Sequence, residues 1–306
     1  MPLISVVIAM YNSSSCITRC IESILNQTFK DFEIIIVDDG STDDSYDIVK
    51  KISDSYPNIF LCHIKNSGPG HARNFGVFRA TANLICFVDS DDFVDPNYLK
   101  ILYKNKIEHG TKISCCNYKE KGKEITSIAF YSKSPIIKFN EESVLEMLKG
   151  PGPYWVVWGK LIDKDLIIKN PIPENMFYED NAIVFRWFGE AKLISYINDA
   201  LYHYSYNSCG ITKNFSSKKI FFLDALKRQR KYYKKKHFIK AETLITNQII
   251  NLFPLLKFNA FKSEHKIKIW FKIECNSIYF LFLILFSNKY SKRTKLLLIK
   301  TVLRFR

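Results

Sequence analysis

Carboxylates gather at three places along this 306-residue chain. Asp38 and Asp39 follow the apolar run Phe32–Val37, Asp89, Asp91 and Asp92 follow the apolar run Leu84–Val88, and Glu179 and Asp180 stand together further on. The five acids that end the two runs would repel one another unless a cation lies among them or hydrogen bonds are abundant. A divalent metal, or a cationic or hydrogen-bonding ligand, is the natural partner. Asp89-Ser90-Asp91 has a particular geometry, since residues i and i+2 of an extended turn point the same way. Two such carboxylates can face one hard cation, with phosphate oxygens completing an oxygen shell. The pattern alone is weak, because Asp is common in turns and caps; its place directly after an apolar run strengthens it.

Strands must carry these acids. Ile4–Ile8, Phe32–Val37, Ile59–Ile64, Leu84–Val88 and Ile113–Asn117 are β-branched apolar runs, the first, second and fourth nearly continuous, as parallel strands buried on both faces should be. Segments of helical length lie between them: Ser15–Asn26, Asp43–Asp54, Gly70–Ala80 and Asn97–His109. The second is announced by the capping pattern Ser41-Thr-Asp-Asp44 and the fourth by Pro96. This alternation predicts an α/β fold, a mainly parallel sheet flanked by helices. In such a sheet ligands collect at the carboxyl ends of the strands. Tyr11 and Asn12, Asp38 to Ser41, Asn66 to Gly70, and Asp89 to Asp92 occupy those ends. Residues 118–175 are less regular, with Lys119 to Glu124 as a polar turn and Pro151-Gly-Pro153 and Pro171-Ile-Pro173 as breakers. They are expected to drape over the sheet. A helix is expected near Glu179, then short strands over Leu193–Ile197 and Ala200–Tyr206.

Ser5-Val-Val-Ile-Ala-Met-Tyr-Asn12, Val37-Asp-Asp-Gly-Ser-Thr-Asp43, Asn66-Ser-Gly-Pro-Gly-His-Ala-Arg-Asn-Phe-Gly76, Phe87-Val-Asp-Ser-Asp-Asp92 and Glu179-Asp180 stand in this order along the chain. In order and spacing they resemble the family 2 glycosyltransferases over roughly residues 3–210. The resemblance implies a GT-A fold, Rossmann-like and nucleotide-sugar-binding, and transfer of a sugar from a nucleotide-sugar, usually a UDP-sugar, with inversion and a bound Mg²⁺ or Mn²⁺. Of the implied site residues, Tyr11 would lie against the nucleobase, though a strand-end aromatic can also merely pack. Asp39 would accept a hydrogen bond from the base with Asp38 in support; both could instead shape the Gly40 turn. Arg73 resembles the family's base-side or phosphate-side cation, placed at a helix start where cations are otherwise disfavoured. Asp89 and Asp91 would hold ribose and metal, Asp91 as the direct ligand, with Asp92 behind them or capping the next turn. Inverting transfer needs a base to deprotonate the acceptor hydroxyl. The resemblance assigns that role to Asp180, with Glu179 orienting or binding the acceptor; without it, two acids at a helix start read as caps. Trp158 and Lys160, in Trp158-Gly-Lys-Leu161, resemble an acceptor-side segment, and a core Trp is the competing reading. Tyr202-His-Tyr204 and Ser208-Cys-Gly-Ile-Thr212 fall where relatives carry a basic residue and a Gly-Ser pair closing over the diphosphate. Here the sequence departs from the pattern, leaving His203 as the diphosphate candidate. Ala9 stands for the usual Pro and Ala82 for the usual Gly.

The charge is unevenly placed. The chain is 47% apolar with net charge +15, yet residues 1–212 hold 22 basic and 26 acidic side chains and residues 213–306 hold 23 and 4. The expected organisation is a catalytic domain over 1–212, nucleotide-binding to about 117 and acceptor-side from 118, followed by a basic α-helical region over 213–306. Lys227 to Lys236 carries seven basic residues in ten, and Ile278 to Phe286 gives nine unbroken apolar residues. Nine are too few to span a bilayer, which needs about 20. The rear part is expected to lie on an anionic membrane surface, or to pack as a helical bundle with its charges solvated. A glycan or lipid-linked acceptor in surface-polysaccharide synthesis would suit that placement. The eight cysteines show no paired metal-binding spacing, and the N-terminus has no basic leader with a long apolar segment. Reduced thiols and a cytoplasmic location, peripheral to the inner face of the plasma membrane, are therefore expected. A nucleotidyltransferase on a related sheet is the competing enzyme reading, weakened by the lack of a Gly-rich, Lys-containing phosphate loop near the start. Binding of nucleic acid through the rear part, with Tyr232, Tyr233 and Phe238 among its charges, has no supporting motif and is not expected.

Overall fold

Strand β1 (Ile4–Met10) alternates its contacts in the way a strand buried on both faces must. Val6 and Ile8 belong to one apolar cluster and Val7 to the other. The computed structural model describes residues 1–120, 135–149, 155–205, 220–260, 273, 276–281 and 290–303. The chain forms two units, Met1–Asn207 and Ser208–Arg306.

Among the described residues the first unit is built on one sheet of nine strands: β1, β2 (Phe32–Asp38), β3 (Ile59–His63), β4 (Leu84–Phe87), β5 (Phe93–Val94), β6 (Ile113–Glu120), β7 (Ile136–Lys138), β8 (Lys160–Asp163) and β9 (Leu193–Tyr204). Their order is β3-β2-β1-β4-β8-β6-β9-β5, with β7 also on β9. Helices α1 (Ile17–Leu25), α2 (Ser45–Ser53) and α4 (Tyr98–His109) cover one face through Ile21, Val49 and Leu102. Helices α3 (Pro69–Arg79), α5 (Glu141–Lys149), α6 (Lys164–Lys169) and α7 (Val184–Ala191) cover the other through Ala72, Met147, Leu166 and Trp187. Each fully buried aliphatic side chain contributes about 1.5–3 kcal/mol. Helix α3 comes closest to the sheet at Gly76, where an added Cβ would stand 2.4 Å from Cγ1 of Val7. No larger residue fits there without moving the helix.

The α/β sheet flanked by helices is as expected, but its parallel character is confined. β3, β2, β1 and β4 run parallel, as do β6 and β9, whereas β8 pairs antiparallel with both β4 and β6, and β5 and β7 pair antiparallel with β9. The four residues of β8 arise inside the segment read as irregular. They follow Gly159, whose φ of 69° turns the chain back into the sheet. Other local expectations shift. No helix starts at Glu179; residues 179–183 form a turn and α7 begins at Val184. The two short strands after it are one strand, β9, accommodated by register shifts opposite Cys116 and Asn117. Helix α4 starts at Tyr98, two residues past Pro96, and the cap of α2 is Asp44, which makes no side-chain capping bond.

The second unit contains α8 (Ile220–Lys235), α9 (Ile239–Ala260) and α10 (Lys292–Leu303). Arg230 ties α8 to α9, with Nη2 on Glu242 Oε1 and Nε on Thr246 Oγ1, each at 3.0 Å. Tyr232 and Tyr233 are buried, while Lys231, Lys234, Lys235 and Lys236 are exposed. The tyrosines therefore offer no open ring to a base. Of the apolar run from Ile278, residues 282–286 lie outside the described residues, as does Ser208 to Thr212. Among the described residues no helix is long and apolar enough to cross a membrane.

Candidate active site

Four parallel strands end side by side, so the loops after them share one rim, and hydrogen bonds stitch these loops together. The Asn12 N–H donates to Ser41 Oγ at 2.9 Å and the Thr42 N–H to Asn12 Oδ1 at 2.8 Å, joining the loops after β1 and β2. Ser13 and Ser90 share a hydroxyl hydrogen bond of 2.8 Å, joining β1's loop to the Asp89-Ser90-Asp91 turn. Tyr11 stands 49% exposed at the end of β1, an open aromatic face on this rim.

Asp38 and Asp39 are both buried and differently engaged. Asp38 Oδ2 lies 2.7 Å from His63 Nδ1, and its Oδ1 accepts from the Ser41 N–H at 3.2 Å. Asp39 accepts from the backbone N–H groups of Ser67 and Gly68 at 2.7 and 2.8 Å. Asp39 thus fixes the loop that launches α3, a role in the protein itself beside the one expected toward a base.

Arg73, on the first turns of α3, is the centre of the charge arrangement. Its Nη1 donates to Glu179 Oε1 at 2.6 Å and its Nη2 to Asp89 Oδ1 at 2.8 Å. Burial opposes its charge, but Asp89 and then Glu179 more than compensate and hold its pKa above the ordinary value. The structure therefore brings together Arg73, Asp89 and Glu179, far apart in sequence. Asp180 follows, with Oδ1 accepting from the N–H and Nδ2 of Asn181 at 2.7 and 3.1 Å. Burial, and then the neighbouring Glu179, push the Asp180 carboxyl up to about 7. A carboxylate poised there can exchange a proton near neutral pH.

The Asp89 to Asp92 turn is held from below. Asp92 is fully buried, accepting from Tyr202 Oη and the Ser205 N–H, each at 2.7 Å. Burial, then Asp89, raise its carboxyl to about 8. Tyr202 also accepts from the Asp89 N–H at 3.1 Å. Asp89 and Asp91 are half-buried, and among the described residues Asp89 Oδ2 has no hydrogen-bond partner. Arg19 of α1 donates from Nη2 to the Asp91 carbonyl at 2.7 Å and to Ser205 Oγ at 2.8 Å, its guanidinium 4.8 Å from the Phe93 ring centre. Neither residue carries a signal of its role in the sequence: Arg19 sits in a helix without a motif, and Tyr202 lies beside His203 where the sequence departs from the family pattern.

The acceptor-side candidates lie deeper than expected. Lys160 is fully buried, donating to the carbonyls of Val156 and Trp158 at 2.7 and 3.1 Å, and burial lowers its pKa. Trp158 is 6% exposed, its ring stacked on Tyr202 at 4.3 Å and 8°. Neither presents an open surface to a sugar. His203 is half-buried and stacked on Phe93 at 4.4 Å; burial and then Lys119 lower its pKa, which suits a neutral stacking ring.

The rim where the parallel strands of this mixed α/β sheet end thus gathers acids around the buried Arg73. The glycosyl transferase family 2 model matches residues 5–167, and the chain belongs to this family. It is 30% identical over 228 residues to YibD of Escherichia coli (strain K12), an uncharacterized glycosyltransferase, covering 69% of this chain and 63% of that one. It is 31% identical over 228 residues to the putative glycosyltransferase EpsH of Bacillus subtilis (strain 168), covering 71% and 64%. The matches thus span just under two thirds of these two relatives. Among solved structures, S. aureus TarS 1-349 in complex with UDP-GlcNAc superposes with a TM-score of 0.70 at 22% identity, over 98% of this chain and 87% of that one. The likeness agrees with the expected α/β fold, a central sheet flanked by helices.

Proposed function

We propose that this chain transfers a sugar from a nucleotide-sugar, a UDP-sugar, to a hydroxyl of a glycan or lipid-linked acceptor with inversion, in surface-polysaccharide synthesis. The observation that carries it is the double ion pair of Arg73, which joins the Asp89 turn to Glu179, the chain neighbour of the proposed base Asp180. In this reading Tyr11 offers its exposed ring to the nucleobase, Asp39 keeps unused lone pairs for the base edge, and Asp38 supports it. Asp180 takes the proton of the attacking hydroxyl, and its raised pKa matches that task. Glu179 holds Arg73 and orients the segment.

Asp89 and Asp91 fit a divalent ion. They are half-buried acids two residues apart on one turn, beside a buried acid whose carboxyl their charge helps push up. Among the described residues no three His, Cys, Asp or Glu side chains converge, so the shell would need diphosphate oxygens to complete it. Bound there, Mg²⁺ or Mn²⁺ would offset charge on the departing diphosphate. The exposed lysines of α8 support peripheral attachment of the second unit to an anionic membrane at the cytoplasmic face.

The test is a nucleotide-sugar panel scored for metal-dependent hydrolysis and thermal stabilisation. A UDP-sugar should raise Tm and be hydrolysed only with metal present; no response to any member would sink the reading.

A further inference from the structure

The proposed reaction uses Arg73 but not its neighbour Asn74, although the two stand side by side in the motif. One residue further along α3, Asn74 faces about 100° round the helix. Its carboxamide meets the backbone of Ile172 twice: Oδ1 accepts from the Ile172 N–H at 3.0 Å, and Nδ2 donates to the Ile172 carbonyl at 2.8 Å. Nδ2 also donates to Glu174 Oε1 at 3.0 Å. A side-chain amide that pairs both groups of one residue does what a neighbouring strand would do. Around it the fit is close. A Cβ on Gly70 would stand 2.4 Å from the Pro173 carbonyl oxygen, so only glycine lets α3 approach this segment. His71 pairs with Glu174 at 3.1 Å.

From this grip the chain runs to Glu179 through two non-glycine residues of positive φ, Asn175 at 54° and Tyr178 at 61°. Such residues are costly and persist where surrounding contacts hold them. Ile172 is itself buried, with its ends fixed by these bonds. At the far end Glu179 is clamped by Arg73.

We infer that Asn74 is a positioning residue, which pins the start of the 172–180 segment while Arg73 pins its end, so that Asp180 is held in register with Asp89. Adjacent residues of one rigid helix thereby fix both ends of the segment that carries the base and, through Arg73, the donor-side turn. The inference rests on the proposed role of Asp180.

The test compares the wild type with Asn74→Ala, Asn74→Asp, His71→Ala and Asp180→Asn. The donor probe is a UDP-hexose or UDP-N-acetylhexosamine hydrolysed by the wild type. Asn74→Ala should lower kcat by about ten-fold to a hundred-fold, as small misplacements of a catalytic group do, with KM and the Kd of UDP within about two-fold. Amide exchange at Ile172 should quicken by about ten-fold or more, reporting loss of the specific bond. Asn74→Asp keeps the acceptor but sets an oxygen against the Ile172 carbonyl and Glu174 Oε1, so its kcat should fall at least as far as that of Asn74→Ala. His71→Ala removes only a half-exposed pair and should match the wild type. Unchanged kcat, or unchanged Ile172 exchange, in both Asn74 variants overturns the inference, as does a rise in KM equal to the fall in kcat/KM. Full activity of Asp180→Asn would instead overturn the base reading beneath it. If Asn74→Ala fails to fold, Asn74→Asp carries the same measurements.

Discussion

Arg73 Nη1 stands 2.6 Å from Glu179 Oε1, a buried ion pair between residues 106 apart in sequence. Both side chains are about one-tenth exposed, so water does little to relieve either if the other is removed. Arg73→Ala should therefore destabilise the fold by about 3–5 kcal/mol. Combined with Glu179→Ala, the loss should be smaller than the sum of the two single changes. Denaturant unfolding of the three variants measures this; strict additivity would contradict the pairing.

With Asp180 as the proposed base, the reaction should slow as pH falls. A base must be deprotonated, and the carboxyl is raised to about 7, so the transfer rate should fall about ten-fold per unit as pH drops below that value. Asp180→Asn should abolish transfer yet bind UDP-sugar as the wild type does. A rate flat between pH 5 and 7, or near-normal turnover of the variant, would dismiss Asp180 as base.

Metal removal should act through the Asp89 turn. Stabilisation by UDP should require Mg²⁺ or Mn²⁺, vanish in a chelator and return on re-addition. Asp91→Ala should lose it at every metal concentration and abolish transfer. Equal UDP stabilisation with and without chelator would argue against a metal at this site.

Tyr202 ties that turn to β9. Tyr202→Phe would leave the buried Asp92 carboxyl short of a donor and the Asp89 N–H short of an acceptor. The expected loss is about 1–3 kcal/mol, with the stacking on Trp158 retained. Thermal unfolding distinguishes this from the near-zero change of a hydroxyl that only fills space.

The basic second unit can be tested by liposome sedimentation. Exposed Lys231, Lys234, Lys235 and Lys236 should each contribute about 1 kcal/mol to attachment at low salt. Their joint replacement by Glu should abolish binding to vesicles containing phosphatidylglycerol without lowering UDP affinity. Binding that survives both the replacement and high salt would exclude an electrostatic attachment.

Much of the front of the fold was legible because its strands announce themselves. Ile4–Met10 and Phe32–Asp38 are apolar almost throughout, and burial on both faces of a parallel strand demands that. Lys160–Asp163 was not legible: four residues starting at a lysine carry no period, and their pairing with β4 and β6 is decided by partners distant in sequence. The same limit hid Trp158 and Lys160 in the interior. A lysine reads as a surface residue until backbone carbonyls are seen to satisfy its ammonium group.

Sequence alone determined the chemistry available, since acids after two apolar runs already fell on one rim, and the family resemblance added Arg73 and Tyr11 to it. Which of them meet was decided only by the tertiary structure. Arg73 could have faced solvent, a base or a phosphate, and nothing local chooses among these. Packing of α3 against β1, close enough that Gly76 admits no side chain, aims that arginine between Asp89 and Glu179. Long-range pairing of buried charges is a property of folded geometry, because the desolvation that makes it strong does not exist in the extended chain.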